Sequence, residues 1–172
     1  MGAPVSPRKR GAAGAGRPFN SPLEVGLRAL FLLAASAPRE VDLQRLVTFD
    51  YLAVHSADAE GPPSLHPELP FRGGEWLVRR ETVRAGLDLM FAKELIEKQF
   101  APAGISYLGT DVTVAFLGYL TSPYAAELRA RSQWVVGRFG TLDDERLAAF
   151  MREKVGRWGA EFTREPLHRS WT

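Results

Sequence analysis

Residues 95–108 read LIEKQFAPAGISYL. Two runs that carry apolar side chains, Leu95–Phe100 and Ile105–Leu108, flank Ala101-Pro102-Ala103-Gly104, and this pattern spells strand, turn, strand. Immediately before it, Thr82–Lys93 (TVRAGLDLMFAK) repeats Val83, Leu87, Met90 and Phe91 at helical spacing, interrupted only by the poor helix former Gly86. Immediately after it, Thr110-Asp111 opens a helix that runs through Phe116 and Leu120. A helix pair, a β-hairpin and a further helix follow the order of a winged helix-turn-helix. The expected fold is therefore mainly α, with a winged helix-turn-helix core, a β-hairpin wing and additional C-terminal helices.

Upstream, Ser21-Pro22-Leu23-Glu24 places a capping serine, a proline at the first helical position and a glutamate three residues after the cap. Leu23, Leu27, Leu30, Phe31 and Ala34 then recur on one face, and Pro38 ends the helix. A second helix is expected from about Asp42 to Ala57, with Leu43, Leu46, Val47 and Val54 on one stripe. Asp50 falls on that stripe. A buried carboxylate there needs a hydrogen-bonded partner or a raised pKa, so the expectation is a capping acceptor for a neighbouring element or a place at the rim. Glu75–Arg80 (EWLVRR) reads as a short strand or a helical turn. Downstream, Ser122-Pro123 opens a helix to about Phe139, and Thr141 with Asp144 opens another to about Phe162.

The chain has 172 residues, 45% hydrophobic and 24% charged, enough for one core-bearing domain. Its net charge of +2 is unevenly spread: residues 1–17 hold four basic residues and no acid, leaving 18 basic against 20 acidic residues in the rest. Residues 1–19, rich in Gly, Ala and Pro, are expected to be a disordered basic tail, residues 20–162 a single domain, and residues 163–172 a loose C-terminal tail. With no cysteine, disulfides and thiolate metal sites are excluded, which fits a reducing cytoplasm. No apolar run reaches the roughly 20 residues of a membrane span. No apolar stretch follows Arg8-Lys9-Arg10 before Phe19 either, so a secretory signal is not expected.

Catalytic chemistry finds little support. His55, His66 and His168 are the three histidines, and none stands at helical spacing from another, so no metal site is expected. Asp50, His55 and Ser56 look like a triad in one dimension, but on a helix residues five apart diverge by roughly 140°. Residues 11–16 (GAAGAG) lack the preceding strand and the following Lys-Ser/Thr of a phosphate loop. No cofactor is expected. A winged helix can place a basic recognition helix on DNA, and Arg79, Arg80 and Arg84 with Lys98 of the wing are the candidate contacts. Glu81, Asp88, Glu94 and Glu97 lie among them, fewer uncompensated cations than specific phosphate binding commonly uses. Protein docking fits better: Trp and Arg are common interface anchors, and the candidates are His66, Phe71, Trp76, Arg80, Trp134 and Trp158. His66 lies in Gly61–Pro67 (GPPSLHP), where prolines limit the freedom of the unfolded chain and the loop is expected to shape a surface for a partner.

Longer strings carry a resemblance. They include Asn20–Arg28 (NSPLEVGLR), Asp42–Leu46 (DLQRL), Asp50-Tyr51-Leu52, Val54-His55-Ser56, Gly61–Pro67, Ser122–Ala125 (SPYA) and Arg157–Phe162 (RWGAEF). Across about residues 20–162 the chain resembles the middle component of bacterial ABC-three-component systems, of the type numbered two. The resemblance implies a helix-turn-helix-like subunit that links an ABC ATPase of SMC or Rad50 type to an effector, in prokaryotic conflict or phage defence, with no catalytic residue assigned. Expected partners are that ATPase and effector, with weak nonspecific nucleic-acid contact through the tail and self-association as further interactions.

Overall fold

A computed structural model describes residues 20–67 and 72–162, with side chains described for 20–67 and 79–154. The elements run α1 (Pro22–Ser36), β1 (Val41–Asp42), α2 (Leu43–Val54), a 3-10 turn (Ser56–Ala59), α3 (Arg72–Ala92), β2 (Ile96–Ala101), β3 (Gly104–Gly109), α4 (Asp111–Gly118), α5 (Pro123–Phe139) and α6 (Asp144–Phe162). This is a mainly helical fold with the winged helix-turn-helix order. The expected hairpin forms, with Ile96 opposite Gly109 and Ala101 opposite Gly104. A short strand not expected from sequence, β1, adds to it through Val41 opposite Tyr107, giving the sheet order β1-β3-β2.

Local caps explain most helix starts. The Ser21 backbone N–H donates to the Glu24 carboxylate (2.9 Å) while the Glu24 N–H donates to Ser21 Oγ (3.3 Å), a reciprocal capping box before α1. Asp42 accepts from the Arg45 N–H (2.8 Å) at α2, and Ser122 from the Ala125 N–H (3.1 Å) at α5. At α6 the capping acceptor is Asp143, which takes the Arg146 N–H (2.7 Å), rather than Thr141. α3 continues back to Arg72, so Glu75–Arg80 is neither a strand nor an isolated turn but the first half of the recognition-helix equivalent.

α1 and α3 cross at two glycines. A Cβ on Gly86 would stand 2.7 Å from the Gly26 backbone N, and one on Gly26 would stand 2.8 Å from the Gly86 carbonyl oxygen. The missing side chain that makes Gly86 a poor helix former is thus the condition for backbone contact. Leu30, Leu33, Leu46, Phe49, Leu87 and Met90 fill the core around this crossing, and Val135, Phe139 and Met151 extend it under α5 and α6. Two residues expected on core stripes face outward: Leu23 is 54% exposed and Phe91 44% exposed. Both sit near helix ends.

Candidate docking site

The middle of α2 carries the chemistry that the sequence left open. Asp50 is 1% exposed and is neither a cap nor at the rim. Its Oδ1 accepts from Arg28 Nε (2.6 Å) and its Oδ2 from Arg28 Nη2 (3.1 Å) and Arg79 Nη1 (2.9 Å). One carboxylate therefore ties α1, α2 and α3 together. Burial pushes the Asp50 carboxyl upward, but the adjacent guanidiniums of Arg28 and Arg79 outweigh it and hold the group below the ordinary carboxylate range. Arg79, expected among the DNA contacts, is 4% exposed, with its guanidinium 5.6 Å from the Tyr51 ring centre. A buried, ion-paired arginine cannot lie against a phosphate, so Arg79 leaves the DNA-facing set.

Above this cluster the Gly61–Pro67 loop is anchored along α5 and the end of α2. The Leu65 and His66 N–H groups both donate to the Val54 carbonyl (2.9 and 3.1 Å), and Ser56 Oγ donates to the Pro62 carbonyl (2.8 Å). That hydroxyl is thus spent on a backbone carbonyl, and Asp50 on two arginines. From α5, Arg131 Nη2 and Nε donate to the Pro63 carbonyl (2.9 and 3.2 Å). The Trp134 ring sits so close to Gly61 that a Cβ there would be 2.2 Å from its Cζ2. His66 Nε2 is 2.9 Å from the Tyr124 hydroxyl. Burial first, then the nearby charges of Arg28 and Arg79 and the His55 ring, lower the His66 pKa to about 4, so the ring is neutral at neutral pH. Burial raises the Tyr124 hydroxyl in turn.

A second region lies at the other end of α2. A cleft of about 620 Å³ opens between the wing, α3, the start of α2 and the start of α6, lined among others by Gln44, Arg80, Arg84, Ile105 and Asp144. In and around it Arg80 is bonded to a neutral amide and the other charges are paired. Arg80 Nη1 donates to Gln44 Oε1 (2.7 Å), Arg84 pairs with Glu81 (2.6 Å), Lys98 pairs with Asp88 (2.7 Å) and Arg45 pairs with Asp144. Lys98 also lies over the Phe91 ring, 4.6 Å from its centre. The tip of the wing is apolar: Phe100 and Ile105 are cross-strand partners, 74% and 44% exposed.

The expected docking residues thus separate. His66 lies against Tyr124 at the start of α5 and Trp134 against Gly61 further along that helix, whereas Arg80 lies near Gln44. Gln44 and Val54 are ten residues apart on α2, about 15 Å along a helix. Phe71 and the side chains of Trp76 and Trp158 lie outside the described residues. Of the DNA-facing candidates, Arg80 and Arg84 are exposed, and Lys98 is folded against α3. Sequence reasoning passed over Phe100 and Ile105, although two apolar residues either side of a wing turn, where cations would serve DNA, were a visible signal. Tyr124 had no such signal, because its partner lies 58 residues away. Among the described residues no group of three or more His, Asp or Glu side chains could hold a metal ion, and no helix is long and apolar enough to cross a membrane.

No curated protein and no solved structure matches the chain. Residues 18–161 match the family model for middle component 2 of ABC-three-component (ABC-3C) systems. That match spans the three-helix core, the wing, the anchored loop and nearly all of α6. The chain belongs to the ABC-3C middle component 2 family.

Proposed function

We propose that this middle component is a non-enzymatic, cytoplasmic adaptor that joins an ABC ATPase of SMC or Rad50 type to an effector in a prokaryotic conflict or phage-defence system. The observation that carries the reading is the face formed by α3 and the wing. On a DNA-binding winged helix this face needs cations not already neutralised by neighbours. Here Arg84 and Lys98 are paired with Glu81 and Asp88, and the wing tip presents Phe100 and Ile105. Apolar anchors ringed by paired charges suit a protein surface. The loop region with His66 and Trp134 forms the second contact region of the adaptor, with Phe71, Trp76 and Trp158 as further anchors. Self-association and weak nonspecific nucleic-acid contact through residues 1–17 belong to the same reading.

The test is affinity purification of the tagged chain from its native host after nuclease treatment. Recovery of a large ATPase and an effector in fixed ratio is expected, with loss of one of them from the Phe100→Asp, Ile105→Asp double variant. Purification of the chain alone in both cases would overturn the adaptor.

One observation favours a second reading, a DNA-binding regulator: Arg80 and Arg84 are both exposed on α3 beside the wing cleft. With Lys98 they would supply its contacts. DNA binding that weakens steeply with salt and survives deletion of residues 1–17 is its signature.

A further inference from the structure

The wing cleft holds a cation that the fold leaves without a carboxylate. Arg45, Arg80 and Arg84 line it. Arg45 is paired with Asp144 and Arg84 with Glu81. Arg80 donates from Nη1 to the neutral amide oxygen of Gln44 (2.7 Å), and among the described residues no carboxylate pairs with it. The remaining acid of the lining, Asp42, is spent as the cap of α2, where its Oδ1 accepts the Arg45 N–H (2.8 Å). Gln44 and Arg80 are both exposed, on α2 and α3. A glutamate at position 44, nearly the same shape, would make a charge-assisted bond roughly twice as strong. The amide holds the guanidinium across the cleft without cancelling its charge.

An apolar step stands beside this cation. Side chains alternate along a strand, so Lys98 and Phe100 share one face of β2, and their cross-strand partners Tyr107 and Ile105 share the same face of the hairpin. Lys98 reaches Asp88 of α3 and Tyr107 is buried, so this face is the one turned to α3. Toward the tip, Phe100 and Ile105 continue it and remain exposed. Ile105 lines the same cleft as Arg80.

We propose that the wing cleft receives a short acidic segment of the partner protein. One carboxylate of that segment displaces the Gln44 amide on Arg80, and a large apolar side chain beside it covers Ile105 and Phe100. The inference deepens the adaptor reading and rests on it. Arg84 is one helical turn from Arg80, about 6 Å along α3. Its pair with Glu81 is solvated and contributes little, so Arg84 can turn to the same carboxylate. A nucleic acid would bring a run of phosphates past Glu81 and Asp144, whose side chains are 71% and 82% exposed, and would set the apolar tip against a polyanion. A segment with a single acid and an apolar neighbour meets neither cost.

Exchanging the amide for a carboxylate tests the inference. Gln44→Glu gives Arg80 an internal acid, and an acid in the first turn of α2 suits that end of a helix, so thermal melts should show no loss of stability. Capture is read by affinity purification of the tagged full chain after nuclease treatment. Relative to the wild type, Gln44→Glu and Arg80→Glu should each lower recovery of one partner about tenfold. Gln44→Ala should retain recovery and Arg80→Lys part of it. A benzophenone amino acid in place of Ile105 should crosslink, in the native host, to a partner peptide with Asp or Glu within a few residues of the attached site. Capture by Gln44→Glu equal to the wild type would overturn the inference, as would a crosslinked peptide without an acid or a crosslink to nucleic acid. Absence of any partner from the wild type would sink the adaptor reading and this inference with it, whereas a recovered complex indifferent to Gln44→Glu sinks this inference alone.

Discussion

Two sets of ion pairs in this protein have the same chemistry and opposite surroundings. Arg28, Asp50 and Arg79 meet at 2.6 to 3.1 Å with side chains 1–3% exposed. Arg84 and Glu81 meet at 2.6 Å on the wing face with side chains 56% and 71% exposed. Removing charges from water costs several kcal/mol per ion, and mutual attraction offsets it only while every member is present. Exposed pairs remain solvated and contribute little. The buried set is therefore an obligatory part of the fold, whereas the exposed set can exchange partners without risk to the core. The difference separates a structural cluster from a surface available for docking.

The sharpest way to break this contrast is Asp50→Ala, which leaves two guanidiniums buried without their carboxylate. Chemical denaturation should show a loss of about 3–5 kcal/mol, a large share of the 5–15 kcal/mol typical of a domain. Replacing all three members with apolar residues of similar volume should cost far less, because no charge is then stranded. Equal losses from the single and triple variants would mean that the cluster acts by packing alone.

Gly61→Ala comes next. Its Cβ would overlap the Trp134 ring, so either the loop or α5 shifts, at about 1–3 kcal/mol. Trp134→Ala in the Gly61→Ala background should recover part of that loss in a double-mutant cycle, and simple additivity would show that the two residues do not clash.

Acid should expose the interior before the surface. The folded pKa of Asp50 lies below its unfolded value, so its contribution is present above the unfolded carboxylate pKa, about 4, and is lost as pH falls through the folded value. His66 acts at a milder pH. Its folded pKa is lowered from 6.5 to about 4, so the unfolded chain binds the proton more readily across that interval, and stability falls as pH drops from 6.5 toward 4. Thermal melts of His66→Phe should show a flatter profile between those values, and an unchanged slope would assign the proton uptake elsewhere.

The smallest effect belongs to the exposed set. Arg84→Ala should leave the unfolding midpoint where it is, yet alter capture of a partner if the wing cleft is used. A marked loss of stability would erase the distinction between the two sets.

Features carried by neighbouring residues were legible in the sequence. The capping box at Ser21 and Glu24, the Ser122-Pro123 start and the turn before Gly104 are all completed within a few positions, so local sequence suffices. β1 was not legible, since two residues make no pattern and their partner is Tyr107 on a distant strand. α3 was read in two pieces, Glu75–Arg80 as a strand or helical turn and Thr82–Lys93 as a helix interrupted by the poor helix former Gly86, and packing against Gly26 overrides that preference at Gly86. The expected core positions of Leu23 and Phe91 show the limit of periodicity: an apolar stripe names a face, not what covers it. Of the candidate site, His66 and Trp134 were named as loop and helix anchors, while Phe100 and Ile105 at the wing tip stood in the sequence but were passed over.

What the sequence by itself determined is the order of helices and wing, and with it the winged helix-turn-helix core, because caps, turns and periodicity are short-range. Which arginines answer Asp50 was decided only by tertiary structure. Arg28 and Arg79 lie 22 and 29 residues from it, and nothing in the local chain distinguishes them from the exposed Arg80 and Arg84. The crossing of α1, α2 and α3 does, because an ion pair depends on distance in space and on exclusion of water, and both appear only when the helices pack.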